Sequence, residues 1–146
     1  MRTVLLIVLA FVLPSLATAL PARAADIEST CYTDCESQTT SNPEYKACLS
    51  RKADAADAAL NEAYGTLKSA IRRHADVMGQ KPDLQLEALT AAQKKWIAYR
   101  DSNCTFEDEL AFGATSIGGN YSACLCSLSL ARAADFARIK RQVLSE

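Results

Sequence analysis

Six cysteines are the residues of this sequence with the widest range of possible chemistry. They stand at positions 31, 35, 48, 104, 124 and 126. A cysteine sulfur can act as a nucleophile, bind a metal or form half of a disulfide. Cys124 and Cys126 lie close together, and Cys31 and Cys35 are one helical turn apart, so metal binding is a competing interpretation. However, no Cys-x-x-Cys spacing occurs and His74 is the only histidine, which disfavours zinc and predicts no metal site.

Acid–base chemistry is the other possibility that the residue types raise. Asp54 and Asp57 form a carboxylate pair, but charges at this spacing on a long helix usually face solvent. A lone histidine such as His74 near a helix end more often pairs with the terminal carbonyls. No nucleophile stands beside a base, and no glycine-rich phosphate motif occurs. We therefore predict a protein that is not an enzyme and needs no cofactor.

The first 24 residues have the pattern of an export signal. Arg2 precedes an apolar run over residues 4–19, and small residues lead to a cleavage site after Ala24. A membrane anchor is the alternative, but Pro14 and Pro21 break the run, which is shorter than the roughly 20 apolar residues that span a bilayer. We predict a signal peptide over residues 1–24 and one domain over residues 25–146. The expected location is periplasmic or secreted, without stable membrane insertion after cleavage.

This location also suits the cysteines. An even number of cysteines after an export signal favours three disulfides in an oxidising compartment, although the sequence alone leaves their pairing open. The chain has 16 Lys and Arg against 17 Asp and Glu, with no basic cluster. Because binding of nucleic acid requires concentrated positive charge, we predict no nucleic-acid partner.

Hydrophobic periodicity predicts three main helices. Residues 26–37 have room for a short helix, and a long helix over about 43–78 follows, with Asn42 as its cap and Pro43 in its first turn. After a break at Gly79 to Pro82, a second helix covers about 83–110. A last helix covers about 121–144 after an uncharged, glycine-rich loop. No alternating strand pattern occurs, so the predicted fold is all-α: a small disulfide-stapled bundle of three main helices plus a short N-terminal helix.

The second main helix carries the stripe around which the bundle is expected to form. Its large residues recur at steps of three and four, so they share one helix face: Leu89, Ala92, Trp96, Tyr99, Asn103, Phe106 and Leu110. We expect this face to pack against the other helices, with Cys104 fixing its far end. The short connection at residues 79–82 makes the first two main helices antiparallel neighbours.

The motif Ala-Gln-x-x-Trp-x-x-Tyr-Arg-Asp-x-x-Cys, over residues 92–104, is specific enough for comparison with a known family. With matching positions on all three helices, the chain resembles the LprI-type domain, a family of small exported bacterial proteins named after a lysozyme inhibitor. The matching residues outside the motif are Cys48, Ala56, Asp57, Leu60, Asn61, Tyr64, Leu89, Cys124, Leu125, Ser129 and Arg132. The resemblance covers roughly residues 35–135, and Ser129 stands where the family often has threonine.

The resemblance implies both a disulfide pairing and a function. The implied pairs are Cys35–Cys48, Cys104–Cys124 and, for the two cysteines that remain, Cys31–Cys126. The implied function is that of a lysozyme-inhibitor-like protein, which binds and blocks a muramidase through protein–protein contact. The alternative is a cell-envelope accessory or structural module that binds another exported protein and has no effect on lysozyme.

Most of the family motif residues are predicted to be structural. They are Asp57, Asn61, Tyr64, Gln93, Trp96, Tyr99, Arg100, Asp101 and Arg132. An arginine on a long helix can pair with an acidic side chain of a neighbouring helix and set their register. We expect Arg100 to act in this way, with Arg132 as its counterpart on the last helix, beside Asp57 or Asp101.

The partner surface is predicted at the loop over residues 112–121, which the implied bridge from Cys104 to Cys124 would span. The predicted contact residues are Glu107, Asp108, Glu109, Ser116, Asn120 and Tyr121. Many lysozymes are strongly basic, so an acidic patch beside a constrained loop favours encounter with such a partner. The alternative is an ordinary helix connection beside solvated charges.

Overall fold

The computed structural model describes residues 30–32, 35–113 and 118–144. Within these ranges the regular structure is helical and no strand occurs, which confirms the predicted all-α class. The expected signal peptide, residues 1–24, lies outside the described residues and stays a prediction. None of the described helices is both long enough and apolar enough to cross a membrane.

Three main helices follow a short N-terminal helical segment. This segment, α1, comprises the helical residues 30–32 and 35–38. The helix α2 covers Asn42–Val77, α3 covers Asp83–Glu109 and α4 covers Gly119–Val143. The three main helices predicted from the sequence are confirmed, with small differences at their ends.

The helix α2 begins with a capping box. Ser41 is the N-cap, and its Oγ accepts a hydrogen bond from the N–H of Glu44 at 3.4 Å. The Glu44 carboxylate accepts hydrogen bonds from the N–H and the hydroxyl of Thr40, each at 3.1 Å. The bonds from Thr40 and Ser41 lower the pKa of Glu44, because they favour its charged form. The prediction of Asn42 as the cap was therefore wrong by one residue, since the Ser-x-x-Glu spacing places the cap at Ser41.

The central helix of the bundle is α4. It packs along α2 and also against α3, whereas α2 and α3 meet at few positions. The helices α2 and α4 run parallel, because Leu49 lies beside Gly119 at one end and the rings of Tyr64 and Phe136 lie 5.8 Å apart further along. The long contact between α2 and α4 therefore forms the body of the molecule.

The helix α3 runs antiparallel to α2. Near the start of α3, the hydroxyl groups of Thr90 and Tyr64 share a hydrogen bond at 3.1 Å. Further along α3, Arg100 reaches Asp57, which precedes Tyr64 in α2. The expected direction of α2 and α3 is therefore correct, but the main packing partner of α2 is α4.

The apolar core lies between α2 and α4. The cluster at their C-terminal halves consists of Leu60, Leu67, Ala70, Phe136 and Leu144. Tyr64 and Trp96 pack against this cluster while staying partly exposed. Two smaller clusters surround the cysteines near α1, so the disulfides extend the core where apolar side chains are small.

The stripe expected on α3 packs only in part, since Leu89 and Trp96 lie against the core but its other large side chains do not. Tyr99, Phe106 and Leu110 are 57%, 60% and 51% exposed, which contradicts their predicted burial. The covered face of α3, also with residues at steps of three and four, consists of Leu89, Gln93, Trp96, Arg100 and Cys104. Because this face includes a glutamine and an arginine, apolar periodicity does not identify it. A helix packed mainly against one neighbour buries only a narrow face, and the aromatic stripe lies beside that face.

Candidate functional site

Three disulfides join parts of the chain that are distant in sequence. All six cysteines belong to the described residues, and none of them is free. The bonds are Cys31–Cys126, Cys35–Cys48 and Cys104–Cys124, with Cα–Cα distances of 6.0, 5.6 and 5.4 Å. These are the pairs that the family resemblance implies. A sulfur in a disulfide is neither a thiolate nucleophile nor a zinc ligand, so the bonds leave no cysteine for the competing metal interpretation.

The first turns of α4 are the point where two disulfides converge. Cys124 ties α4 to Cys104 near the end of α3, and Cys126 ties it to Cys31 in α1. All four sulfurs belong to buried residues. The end of α3 and the start of α4 are therefore held together covalently on either side of the loop that was predicted to meet a partner.

A polar seam joins the three main helices. We define it as Asp57 of α2, Gln93, Trp96 and Arg100 of α3, and Ser129 and Arg132 of α4. The Nη1 of Arg100 donates to Asp57 Oδ1 at 2.8 Å and to Ser129 Oγ at 3.1 Å. Its Nε donates to Oδ1 of the adjacent Asp101 at 2.9 Å. One side chain therefore connects α2, α3 and α4, a contact that supports the register role predicted for Arg100.

Burial and charge act in opposite directions on Arg100. Its side chain is 12% exposed, whereas the side chains of Asp57 and Asp101 are about half exposed. Burial alone lowers the pKa of Arg100, but the hydrogen bonds and charges of the two carboxylates outweigh burial and hold the pKa above its usual value. The guanidinium is therefore a permanent cation that positions helices and exchanges no proton near neutral pH.

Two guanidinium groups lie close to the ring of Trp96. The Cζ atoms of Arg100 and Arg132 are 5.4 and 5.7 Å from the centroid of the Trp96 ring, within the range of a cation–π interaction. Arg132 also lies 4.6 Å from the centroid of Phe136, and its Nε donates to Gln93 Oε1 at 3.3 Å. These contacts explain how α3 buries Gln93 against α4 without leaving its amide unpaired.

The remaining motif residues divide between the seam and the surface. The Nδ2 of Asn61 donates to Asp57 Oδ2 at 3.0 Å, so it supports the carboxylate that Arg100 binds. Tyr99 lies outside the seam. Ser129, which is fully buried, was not among the predicted site residues. Its position among apolar residues of the last helix was the feature of the sequence that could have indicated its burial. Its hydroxyl accepts the hydrogen bond from Arg100.

The polar groups of the seam are bonded to one another. Within the described part of the chain, every buried side-chain nitrogen or oxygen atom has a hydrogen-bond partner. A pocket of about 260 Å³ opens beside Arg100, and its polar lining comes from Asp54, Asp57 and Ser129 as well as this arginine. Because Asp57, Arg100 and Ser129 already bind each other, the arrangement supports helix registration and offers no activated nucleophile.

Asp108 holds the start of α4 from the end of α3. Its Oδ1 accepts hydrogen bonds from the N–H of Gly118 at 2.7 Å and of Tyr121 at 3.2 Å, and its Oδ2 lies 3.0 Å from the Gly118 nitrogen. Gly118 is the N-cap of α4, with a φ of 81°, and no side chain of its own can cap the helix. Asp108 supplies the missing acceptor, and its charge suits the positive end of the α4 dipole.

The acidic triplet does not form one patch. Consecutive residues of a helix are about 100° apart, so Glu107, Asp108 and Glu109 lie on different sides of α3. Glu107 accepts a hydrogen bond from Asn103 Nδ2 at 2.7 Å, and Glu109 is exposed. Two exposed carboxylates therefore remain for a partner, while Asp108 is engaged by α4.

The structure describes only two of the three loop residues that were predicted to contact a partner. Asn120 and Tyr121 lie in the first turn of α4 and are half-buried. The structure brings the backbone N–H of Tyr121 to Asp108. Ser116 lies outside the described residues, so its contact role stays a prediction.

Large apolar side chains cover the exposed side of the C-terminal end of α3. Phe112 is 90% exposed, and Tyr99, Phe106 and Leu110 lie on the helix before it. Phe112 has a φ of 47°, a left-handed conformation that is uncommon for a residue with a Cβ atom. The helical spacing of Tyr99, Phe106 and Leu110 was visible in the sequence, but it was interpreted as a core signal.

Comparisons with known proteins relate most of the chain to one family. A family profile described as "Lysozyme inhibitor LprI" matches residues 27–136, a range that includes the polar seam and all six cysteines. A relative from Rhizobium meliloti (strain 1021), described as an uncharacterized protein, is 30% identical over 118 residues, which cover 79% of this chain and 81% of the relative. No solved structure gives a significant match.

Proposed function

Because this chain belongs to the family described as lysozyme inhibitor LprI, as its motif predicted, we propose that it is an exported inhibitor that binds and blocks a muramidase. Family membership over residues 27–136 is the observation that carries the proposal. Three disulfides support an extracytoplasmic location, since such bonds persist in oxidising compartments. A periplasmic or secreted location, after removal of residues 1–24, is part of the same proposal.

Inhibition by contact requires a surface that is already in its binding shape. A segment held in place loses less conformational entropy on docking, so more of the contact energy appears as affinity. The end of α3 meets this requirement, because the Cys104–Cys124 bond and the hydrogen bonds of Asp108 tie it to α4. We therefore place the inhibitory surface at the end of α3 and the start of α4.

Charge at this end of the molecule favours a basic partner. Glu107 and Glu109 are exposed, and the carboxylate of Asp108 adds a third negative charge nearby. Many lysozymes are basic, so opposite charges would steer the two proteins together and raise the association rate. Interactions between exposed charges are screened by salt, so inhibition should weaken as ionic strength rises.

The mode of action that follows is stoichiometric and involves no chemical step by the inhibitor. The seam groups that resemble catalytic residues, Asp57, Arg100 and Ser129, bind one another. The inhibitor would occupy the substrate cleft of the enzyme and exclude the polysaccharide. It acts as a binding protein and not as an enzyme.

The test is an inhibition assay with the purified, disulfide-bonded protein and lysozymes of different classes. The expected result is loss of cell-wall hydrolysis that is complete near equimolar inhibitor and weaker at high salt. The double variant Glu107→Ala and Glu109→Ala should slow association, whereas Glu87→Ala, at an exposed position near the start of α3, is the matched control.

Unchanged hydrolysis by every lysozyme class at a large excess of the protein would contradict the proposal. Specific capture of a different exported protein, with no effect on lysozyme, would instead support the alternative of a cell-envelope accessory module.

A further inference from the structure

Resting on the proposed function, we propose that the centre of the lysozyme-binding surface is apolar and lies on the exposed side of α3. We name it the α3 stripe and define it as Tyr99, Phe106, Leu110 and Phe112. The partner that we propose for this surface is a basic muramidase, whose positive surface would surround an apolar contact. This assigns the anchoring contacts to side chains other than the polar loop residues.

The residues of the α3 stripe lie along the second half of α3 and just beyond its end. Tyr99, Phe106 and Leu110 are spaced by seven and four residues, so they project from the same side of α3. Phe112 lies in the turn after α3, three residues beyond Glu109, and its N–H donates to the carbonyl of Glu109 at 3.2 Å. All four side chains are at least half exposed. Three exposed aromatic rings and an exposed leucine within 14 residues are more than the scattered single apolar residues that a surface usually shows, and such a concentration is typical of a binding site.

The fold itself does not account for these residues. The helix α3 packs through its other face, with Trp96, Arg100 and Cys104. Phe112 adopts a left-handed conformation that glycine would adopt more readily, and its ring is almost fully exposed. Neither burial nor backbone geometry therefore favours phenylalanine at position 112. Aromatic residues are the usual energetic anchors of protein interfaces, which gives the ring a function.

The charges beside the α3 stripe select the kind of partner. Glu107 follows Phe106, and Glu109 precedes Leu110, so each is turned about 100° from the stripe, on opposite sides of it. These carboxylates flank the end of the stripe at Phe106 and Leu110, which makes this end complementary to an apolar patch among basic residues. A second copy of this chain would place carboxylates against carboxylates in a two-fold interface, and an anionic lipid surface would repel them.

The experiment measures the inhibition constant of the full disulfide-bonded protein against the lysozyme that it inhibits best. Single variants Tyr99→Ala, Phe106→Ala and Phe112→Ala remove one ring each. We expect at least one of them to weaken inhibition about tenfold or more, as for an interface anchor. The matched control is Leu84→Ala, since Leu84 is exposed on the same helix at its opposite end, and it should leave the inhibition constant unchanged.

A second measurement does not depend on variants. Hydrogen exchange of the wild-type protein should show slower exchange over residues 99–113 in the complex with lysozyme than in the free protein. Circular dichroism and thermal unfolding of each variant confirm that the fold is retained.

The outcomes separate this inference from the proposed function. If the wild-type protein inhibits lysozyme but all three aromatic variants inhibit equally well, the α3 stripe is not the contact surface, while the proposed function stands. If the wild-type protein inhibits no lysozyme, both proposals fail. Sedimentation of the free protein as a dimer that Phe106→Ala dissociates would assign the stripe to a second copy and overturn the proposed occupant.

Discussion

The two sides of α3 show that polar residues can be buried and aromatic residues exposed on the same helix. The covered side places Gln93 and Arg100 against α4, and the exposed side presents Tyr99 and Phe106 to solvent. Polar groups are buried here because each finds a partner on a neighbouring helix. The difference indicates that specific hydrogen bonds set the orientation of α3, which keeps aromatic side chains available on the surface.

The largest loss of stability is expected when the disulfide that holds the end of α3 is removed. Replacing Cys104 and Cys124 by serine opens a bridge across a sequence separation of 20 residues. The loss in free energy of unfolding should be about 3 kcal/mol, measured by urea denaturation without reductant. Inhibition should fall as well, because the α3 stripe is no longer held against α4.

The matched control for this variant replaces Cys35 and Cys48 by serine, a bridge across 13 residues near α1. It should reduce stability by a comparable amount while leaving inhibition by the folded protein unchanged. Equal loss of inhibition in the two variants would show that the position of the bond does not matter.

The covered side is tested next by Arg100→Ala. Removing one partner of a buried ion pair often destabilises by about 3–5 kcal/mol. Since Asp57 and Asp101 are about half exposed and become solvated, we expect a smaller loss, about 2 kcal/mol. Denaturant unfolding measures this loss. Arg138→Ala, which removes a surface pair with Asp135, is the control. A loss as small as that of the control would show that the contacts of Arg100 contribute little to the stability of the fold.

A smaller effect is expected at the junction of α3 and α4. Asp108→Ala removes the acceptor of the Gly118 and Tyr121 N–H groups, so the free energy of unfolding should fall by about 1 kcal/mol, as for loss of an N-cap. Thermal unfolding measures the change. Glu109→Ala, the exposed neighbour, should leave the melting temperature nearly unchanged, and equal shifts would contradict the capping role of Asp108.

The smallest effect on stability is expected on the exposed side. Tyr99→Ala should change the free energy of unfolding by less than about 0.5 kcal/mol, because the ring packs against little in the free protein. Trp96→Ala, three residues earlier and packed against the core, is the control and should be clearly destabilised. Similar losses in the two variants would show that both sides of α3 contribute equally to the fold.

Helix boundaries were predictable because their signals are local. Pro82 and Asp83 mark the start of α3, and glycines mark the loop before α4. The motif over residues 92–104 was also recognisable, through its resemblance to a known family. The all-α fold and the family could therefore be identified without coordinates.

The orientation of α3 could not be predicted in the same way. Periodicity locates a helix face, but the covering neighbour decides whether that face is buried. Arg100 is buried because Asp57 lies 43 positions earlier in the sequence and Ser129 lies 29 positions later. The capping role of Asp108 has the same origin, since its partners are 10 and 13 residues away. Contacts at such separations leave no local pattern.

The convergence of two disulfides on the first turns of α4 has a consequence for biosynthesis. In the export that we propose, the chain would cross a membrane from its N-terminus, so Cys31 and Cys104 would arrive before their respective partners, Cys126 and Cys124. During that interval Cys31 has Cys35 and Cys48 as its only nearby thiols in the sequence, and a bond with either would be incorrect. Under that proposal, correct pairing would require thiol–disulfide exchange that rearranges early bonds, or oxidation that is delayed until the last helix has emerged.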